Sequence, residues 1–198
     1  FDMTDDKMTK DFYEMISLSA HGMAVKLNLP NVTRAANFFA TGMEWWFKLQ
    51  KHYEISETSV LVHGDMWSPQ FLWRGEKLAA IVDWQISHRG SFMEDIHRLT
   101  MLCTTVEERM RYREKLLDFY HIELSKRLEA AGSPIRISRD EVEAEYRRCL
   151  PYTVAMSMFA VAMWSSSMVL KHDPTRIAEM NKRLIAIVDE WAEAYPEQ

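Results

Sequence analysis

The sequence predicts a mostly α-helical fold that carries one small β-hairpin. Two observations lead there. Short apolar runs bounded by turn residues are confined to residues 59–85, whereas helix-capping patterns recur through the rest of the chain. At 198 residues and 47% hydrophobic content the chain is also long enough to bury a substantial core.

Each element has its own signal. A helical body is expected over residues 1–52 and 91–195. Asn31 stands where it can cap a helix reaching about His52, with Phe38, Trp45, Trp46 and Leu49 near one face. Ser59 to His63 is a brief apolar strand. Phe71-Leu72-Trp73 and Leu78 to Val82 flank Arg74-Gly75-Glu76-Lys77, which reads as a hairpin turn. Three S/T-x-x-E patterns then predict capping boxes: Ser91 with Glu94, Thr105 with Glu108, and Ser138 with Glu141. Ala130-Ala131-Gly132-Ser133-Pro134 is a helix-ending loop, and Asp173-Pro174 opens the last helix with a cap and a first-turn proline.

Composition excludes several classes. A net charge of -5 and a pI near 5.8 argue against nucleic acid as a partner. Cys103 and Cys149 lie far apart inside helical patterns, as buried thiols in a reducing compartment would, so a cytoplasmic location is expected. The acidic start lacks an apolar run, so no signal peptide is expected, and with a first residue other than Met a natural N-terminus upstream is an expectation. Thr153 to Leu170 carries no charge and reaches the length of about 18 at which a membrane helix is considered. Its serines and broken Leu/Ile content favour a buried helix over a membrane span.

The chemistry concentrates in Val62-His63-Gly64-Asp65-Met66-Trp67-Ser68-Pro69-Gln70, followed by Ile81-Val82-Asp83-Trp84-Gln85. Kinase-type catalytic loops place an Asp beside the attacking hydroxyl. An amide side chain five positions on and a second Asp at a strand end hold magnesium. Asp65, Gln70 and Asp83 fall in that order and spacing. Asp65 is the candidate base, and Asp83 is the candidate ligand for a hard dication. Gln70 stands where the pattern has Asn. Its extra methylene lengthens the reach of the amide oxygen, while magnesium demands near-octahedral geometry at about 2.0–2.1 Å. An active site and a degenerate one are therefore both expectations.

These motifs, with His88-Arg89-Gly90 and Glu94-Asp95-Ile96, resemble the choline-kinase-like and ecdysteroid-kinase-like proteins of animals, nearest to their nematode and insect branch, within the aminoglycoside phosphotransferase superfamily. The resemblance is densest from Val60 to Leu102. It implies a single kinase-like C-terminal lobe over residues 1–198, ATP and Mg2+ as cofactors of the intact protein, and a choline-like or steroid-like alcohol as acceptor. Upstream of Asp65 only Gly22, Gly42 and Gly64 occur, and no lysine sits in a Val-Ala-Ile-Lys strand. The nucleotide-binding N-terminal lobe is thus expected to be missing from this chain, joined in cis or lost, and the chain alone is not expected to hold a cofactor firmly. A pseudokinase or ligand-binding module is the alternative.

Supporting residues follow. His63 is expected to pack under the loop and fix it by a hydrogen bond. Asp95 is expected to brace the loop through backbone amides, or equally to favour its own helix N-terminus. His88 and Arg89 could meet phosphate or simply occupy a solvated turn. Trp67 and Trp84, with Trp73, offer faces for a quaternary ammonium or a flat sterol, although hydrophobic packing accounts for them too. Met156, Met158, Met163 and Met168 could line an adaptable pocket or a plain core.

Overall fold

A computed structural model describes residues 6–42 and 44–197. Seven helices and four short strands occur among them: α1 (Asp6–Leu27), α2 (Pro30–Ala40), α3 (Glu44–Ile55), β1 (Val60–Val62), β2 (Phe71–Arg74), β3 (Lys77–Ile81), β4 (His88–Gly90), α4 (Glu94–Cys103), α5 (Val106–Ala130), α6 (Arg139–Ser166) and α7 (Pro174–Ala194). The fold is mostly helical with small antiparallel strand pairs, a layout consistent with a kinase-like C-terminal lobe. The chain divides into two compact units, residues 1–49 with 150–198, and residues 50–149.

The first unit is an all-helical cluster. Apolar residues recur at one-face spacing: Ile16, Ala20 and Met23 on α1, Val32, Ala35, Ala36 and Phe39 on α2, and Leu184, Ile187, Val188 and Trp191 on α7. All are buried. Helix α2 packs against both α1 and α7. Phe38, Phe39, Trp45 and Trp191 form an aromatic cluster with ring centroids 5.2–6.3 Å apart. Arg34 lies over the Trp191 ring and donates to the carbonyls of Ala192 and Tyr195, satisfying groups left open at the end of α7.

The helix expected from Asn31 to His52 is in fact two. It breaks at Thr41-Gly42, where Gly42 takes φ +129°, a conformation open to glycine alone. Asn31 does not cap. Leu29 occupies the cap position and Pro30 the first turn, and the Asn31 amide bonds Asp189 at 2.8 Å. Helix α6 runs through Pro151 and ends at Ser166, short of Leu170. It is long and apolar enough to cross a membrane by length and composition, and 50% of that stretch is buried inside the protein. Met158 is buried, whereas Met163 and Met168 are exposed.

The second unit carries all four strands. β2 and β3 form the expected hairpin, but its loop is only Gly75-Glu76; Arg74 and Lys77 belong to the strands and pair with each other. Gly75, at φ +60°, supplies the left-handed residue that a two-residue loop needs. β1 pairs antiparallel with β4, Val62 opposite His88 and Val60 opposite Gly90. The sequence left His88-Arg89 open between a phosphate contact and a solvated turn; its strand conformation comes from this pairing. Two of the three capping boxes form. Thr105 with Glu108 and Ser138 with Glu141 exchange both reciprocal bonds. Ser91 does not close one with Glu94, because its hydroxyl donates to Glu145 at 2.6 Å and Glu94 turns to His88. Asp173 caps α7 through the Arg176 amide, and Ala131, Gly132 and Ser133 return their amides to the last turn of α5.

A buried junction ties α3, the loop before α4, and α6 within this unit. Glu145 Oε1 accepts from Tyr53 and from Ser91, each at 2.6 Å, and Arg148 pairs with the other oxygen. Burial, then the charges of Cys149 and Glu145, raises the Tyr53 phenol far above its usual range, so it stays a donor. Beside it on α4, His97 is fully buried against Tyr146; burial, then the Arg109 and Arg113 guanidiniums, lowers it to about 3 and keeps it neutral.

Candidate functional site

The loop between β1 and β2 is shaped by Gly64. It sits at φ +85°, and a Cβ there would lie 2.7 Å from the Ile86 carbonyl. Only glycine lets the 64–65 turn lie against the segment that follows Asp83. Asp95, in the first turn of α4, accepts from the backbone amides of His63 at 2.8 Å and Gly64 at 3.0 Å. These two charge-assisted bonds fasten the start of the loop to the helix.

His63 is fully buried between the loop and the hairpin. Its Nδ1 accepts from the Asp65 amide at 3.2 Å, and its Nε2 lies 2.8 Å from the Val82 carbonyl. The neutral tautomer with its proton on Nε2 satisfies both bonds at once. His63 thereby links the backbone of Asp65 to the residue before Asp83. Trp84 tilts over its ring at 4.6 Å and returns its indole N–H to the Ile81 carbonyl.

Asp83 follows β3 at φ +69°, an unusual conformation for a residue with a Cβ. Such local strain persists where the surroundings over-determine it, and it concentrates at functional sites. Here it follows from the geometry: Val82 donates to the Gln70 carbonyl at 3.0 Å, closing the base of the hairpin, and the chain then turns sharply.

Gln70, at the end of a short 3-10 turn (Ser68–Gln70), is buried between the acids. Its Nε2 is 3.0 Å from Asp83 Oδ2 and 3.4 Å from Asp65 Oδ2. The three side chains picked from the sequence therefore meet at one point. The amide presents its nitrogen rather than its oxygen, as two facing carboxylates require.

Arg98 is the residue that sequence reasoning missed. Its Nη2 bonds Asp65 Oδ1 at 2.6 Å, with the Arg98 and Asp65 side chains 17% and 24% exposed. The available signal was the i, i+3 spacing from Asp95, which puts both residues on one helix face. Cys103, also on α4, accepts from the Ser68 amide at 3.3 Å. His88 faces a carboxylate rather than standing free for phosphate. Its Nδ1 faces the Ile86 carbonyl at 2.9 Å and its Nε2 lies 3.2 Å from both oxygens of the buried Glu94. Burial opposes charging, but the bond to Glu94 and its charge outweigh it and raise His88 to about 9.

The weaker candidates are Arg89 and three tryptophans. Arg89 is exposed and donates to the Ser56 carbonyl at 2.9 Å. Trp84 and Trp73 expose 44% and 61% of their surface, Trp84 with one face on His63, and Trp67 is half-buried. Among the described residues no group of three or more His, Cys, Asp or Glu side chains could hold a metal. Two carboxylates and an amide converging on one point do suit a hard dication that keeps part of its water, as magnesium does.

No solved structure matches the chain. Two curated proteins of Caenorhabditis elegans do. Over 152 residues, 71% of this chain and 39% of the relative, it is 25% identical to "Uncharacterized kinase-like protein D1044.1". Over 107 residues, 49% of this chain and 13% of the relative, it is 30% identical to "Uncharacterized oxidoreductase dhs-27". The chain thus spans well under half the length of these relatives. The family model DUF1679, described as "Uncharacterized oxidoreductase dhs-27", matches residues 2–198, and the chain belongs to that family.

Proposed function

We propose that this chain is the catalytic, acceptor-binding C-terminal lobe of an ATP-dependent small-molecule kinase of the choline-kinase-like and ecdysteroid-kinase-like type. The observation that carries it is the convergence of Asp65 Oδ2 and Asp83 Oδ2 on the single Gln70 nitrogen. The likeness to a kinase-like protein supports it, and the six glycines, no two within ten residues, form no dinucleotide-binding fingerprint. Asp65 would orient an alcohol and take its proton as the alcohol oxygen bonds the γ-phosphorus and the bridging bond to ADP breaks. Asp83, and Gln70 after an amide flip, would hold magnesium, which neutralises phosphate charge. His63 and Asp95 would keep the loop in place, and Trp67, Trp84 and Arg89 would serve the acceptor. The nucleotide-binding lobe would belong to the longer polypeptide.

A second function, a pseudokinase or ligand-binding module, is favoured by one feature. The Gln70 amide already bridges the two acids as a neutral donor, and to ligate a cation it must give up both bonds. Transfer of labelled γ-phosphate by the full-length polypeptide to a panel of alcohols, including choline and a hydroxysterol, separates the two. Transfer abolished by Asp65→Ala and by Asp83→Ala supports the kinase. No transfer to any acceptor, with no binding of magnesium-nucleotide, leaves the pseudokinase.

A further inference from the structure

Building on the metal and base roles proposed above, we infer that Arg98 partitions the two acids: it reserves Asp65 for the acceptor hydroxyl and keeps that carboxylate from joining Asp83 on the cation. Three observations carry this. Asp65 and Asp83 each direct Oδ2 at the same nitrogen, so a dication near that point attracts both. Arg98 grips the other oxygen of Asp65, Oδ1, at 2.6 Å. Its Nε and Nη1 are buried with no hydrogen-bond partner, so among the described residues Asp65 is the acid that the guanidinium bonds.

Arg98 is itself well placed to be immobile. It sits one turn along α4 from Asp95, which holds the amides of His63 and Gly64. One face of one helix therefore fixes the loop backbone and the carboxylate that the loop presents. A carboxylate bound to a cation is a poor proton acceptor, and two acids in one site take different roles only when their surroundings differ. Asp83 is exposed and, among the described residues, bonds to the neutral Gln70 amide rather than to a cation, whereas Asp65 is neutralised by Arg98. Arg98 is a positioning residue in this scheme. It touches neither phosphate nor acceptor.

Mn2+ titration, followed by the signal of free Mn2+ and requiring no turnover, tests the partition. The proteins are the full-length polypeptide as wild type, Asp65→Asn, Arg98→Met, the double variant Arg98→Met/Asp65→Asn, and Asp83→Asn as control. With Arg98 present, Asp65→Asn should change affinity by less than about twofold, whereas Arg98→Met should tighten binding about tenfold as a second carboxylate joins. The double variant should return to the wild-type value, and Arg98→Lys, which keeps the charge, should stay near it. Should Arg98→Met fail to fold by circular dichroism, Arg98→Gln takes its place. Binding that depends on Asp83 but shows no coupling between Arg98 and Asp65 overturns the partition, as does a severalfold loss from Asp65→Asn alone. Binding that survives Asp83→Asn instead removes the metal role given to Asp83 under the kinase function. Absence of Mn2+ binding in all variants overturns both.

Discussion

The side-chain nitrogen of Gln70 lies 3.0 Å from Asp83 Oδ2, and the bond fixes which end of the amide faces the acids. With the nitrogen turned inward, Gln70 draws Asp83 and Asp65 together without a cation. An Asn at this position would reach less far and would leave more room between the carboxylates.

Under the kinase function proposed above, Gln70→Asn is therefore expected to raise magnesium-dependent turnover of the full-length polypeptide about tenfold or more, since metal clamping of phosphate is worth several kcal/mol in the transition state. Asp65→Ala in the same background should remove the gain, because a clamped phosphate still needs an oriented acceptor. Steady-state rates over a magnesium series check this. Turnover unchanged or lowered by Gln70→Asn would show that the longer amide is itself a competent ligand.

The two amide bonds accepted by Asp95 predict a local effect. In Asp95→Asn one oxygen becomes an NH2 group, which faces a backbone N–H and cannot accept from it. A loss of about 1–3 kcal/mol is expected from the unsatisfied buried donor. Hydrogen exchange at the amides of His63 and Gly64 should quicken while exchange in α5 stays as it was. Unchanged protection at both amides would show that the loop is held by other contacts.

Legibility in the sequence followed the range of the interactions. The β2–β3 hairpin, the Thr105 and Ser138 capping boxes and the Asp173 cap are local, and each partner lies within a few residues of the other. The spacing of Asp65, Gln70 and Asp83 was equally readable because one loop and one hairpin bring them together. What escaped depends on distant partners. Nothing in His88-Arg89-Gly90 favours a strand until β1 lies beside it. Ser91 has the pattern of a cap, but Glu145, 54 residues away, takes its hydroxyl. Arg98 looks like any solvated helix arginine until the loop places Asp65 within reach. The break at Gly42 was missed because aromatic residues continue a helical spacing across it.

Gly64→Ala should be among the most damaging single changes in the second unit. The left-handed conformation alone costs a residue with a Cβ about 1–2 kcal/mol, and the Ile86 carbonyl 2.7 Å from the new methyl forces further movement. A total of about 3 kcal/mol is expected in urea denaturation. Gly75→Ala is the control: φ is also positive, but nothing lies within 4 Å of the new atom, so only the conformational part should be lost. Equal losses at both positions would mean that the approach of Ile86 to the loop does not constrain it.

His88 and Glu94 make stability depend on alkaline pH. Both ring nitrogens of His88 face acceptors, Ile86 O and the Glu94 carboxylate, so only the imidazolium satisfies them together. Its pKa is raised in the folded protein, from 6.5 to about 9, by that carboxylate against the opposing effect of burial. A raised folded-state value means that the native protein binds more protons than the unfolded chain between those two values. The contribution is therefore complete below pH 6.5, falls as pH rises, and is gone above about 9. Linkage sets its upper bound at about 3 kcal/mol, and the partial exposure of the ring reduces it. Urea midpoints measured from pH 6 to pH 9.5 should fall steadily across this window. Glu94→Gln should lower stability at pH 6 and flatten the slope, since the neutral amide no longer favours the charged ring. A wild-type midpoint that stays level across the window would show that His88 is already neutral at pH 6 and that the pair acts as a plain hydrogen bond.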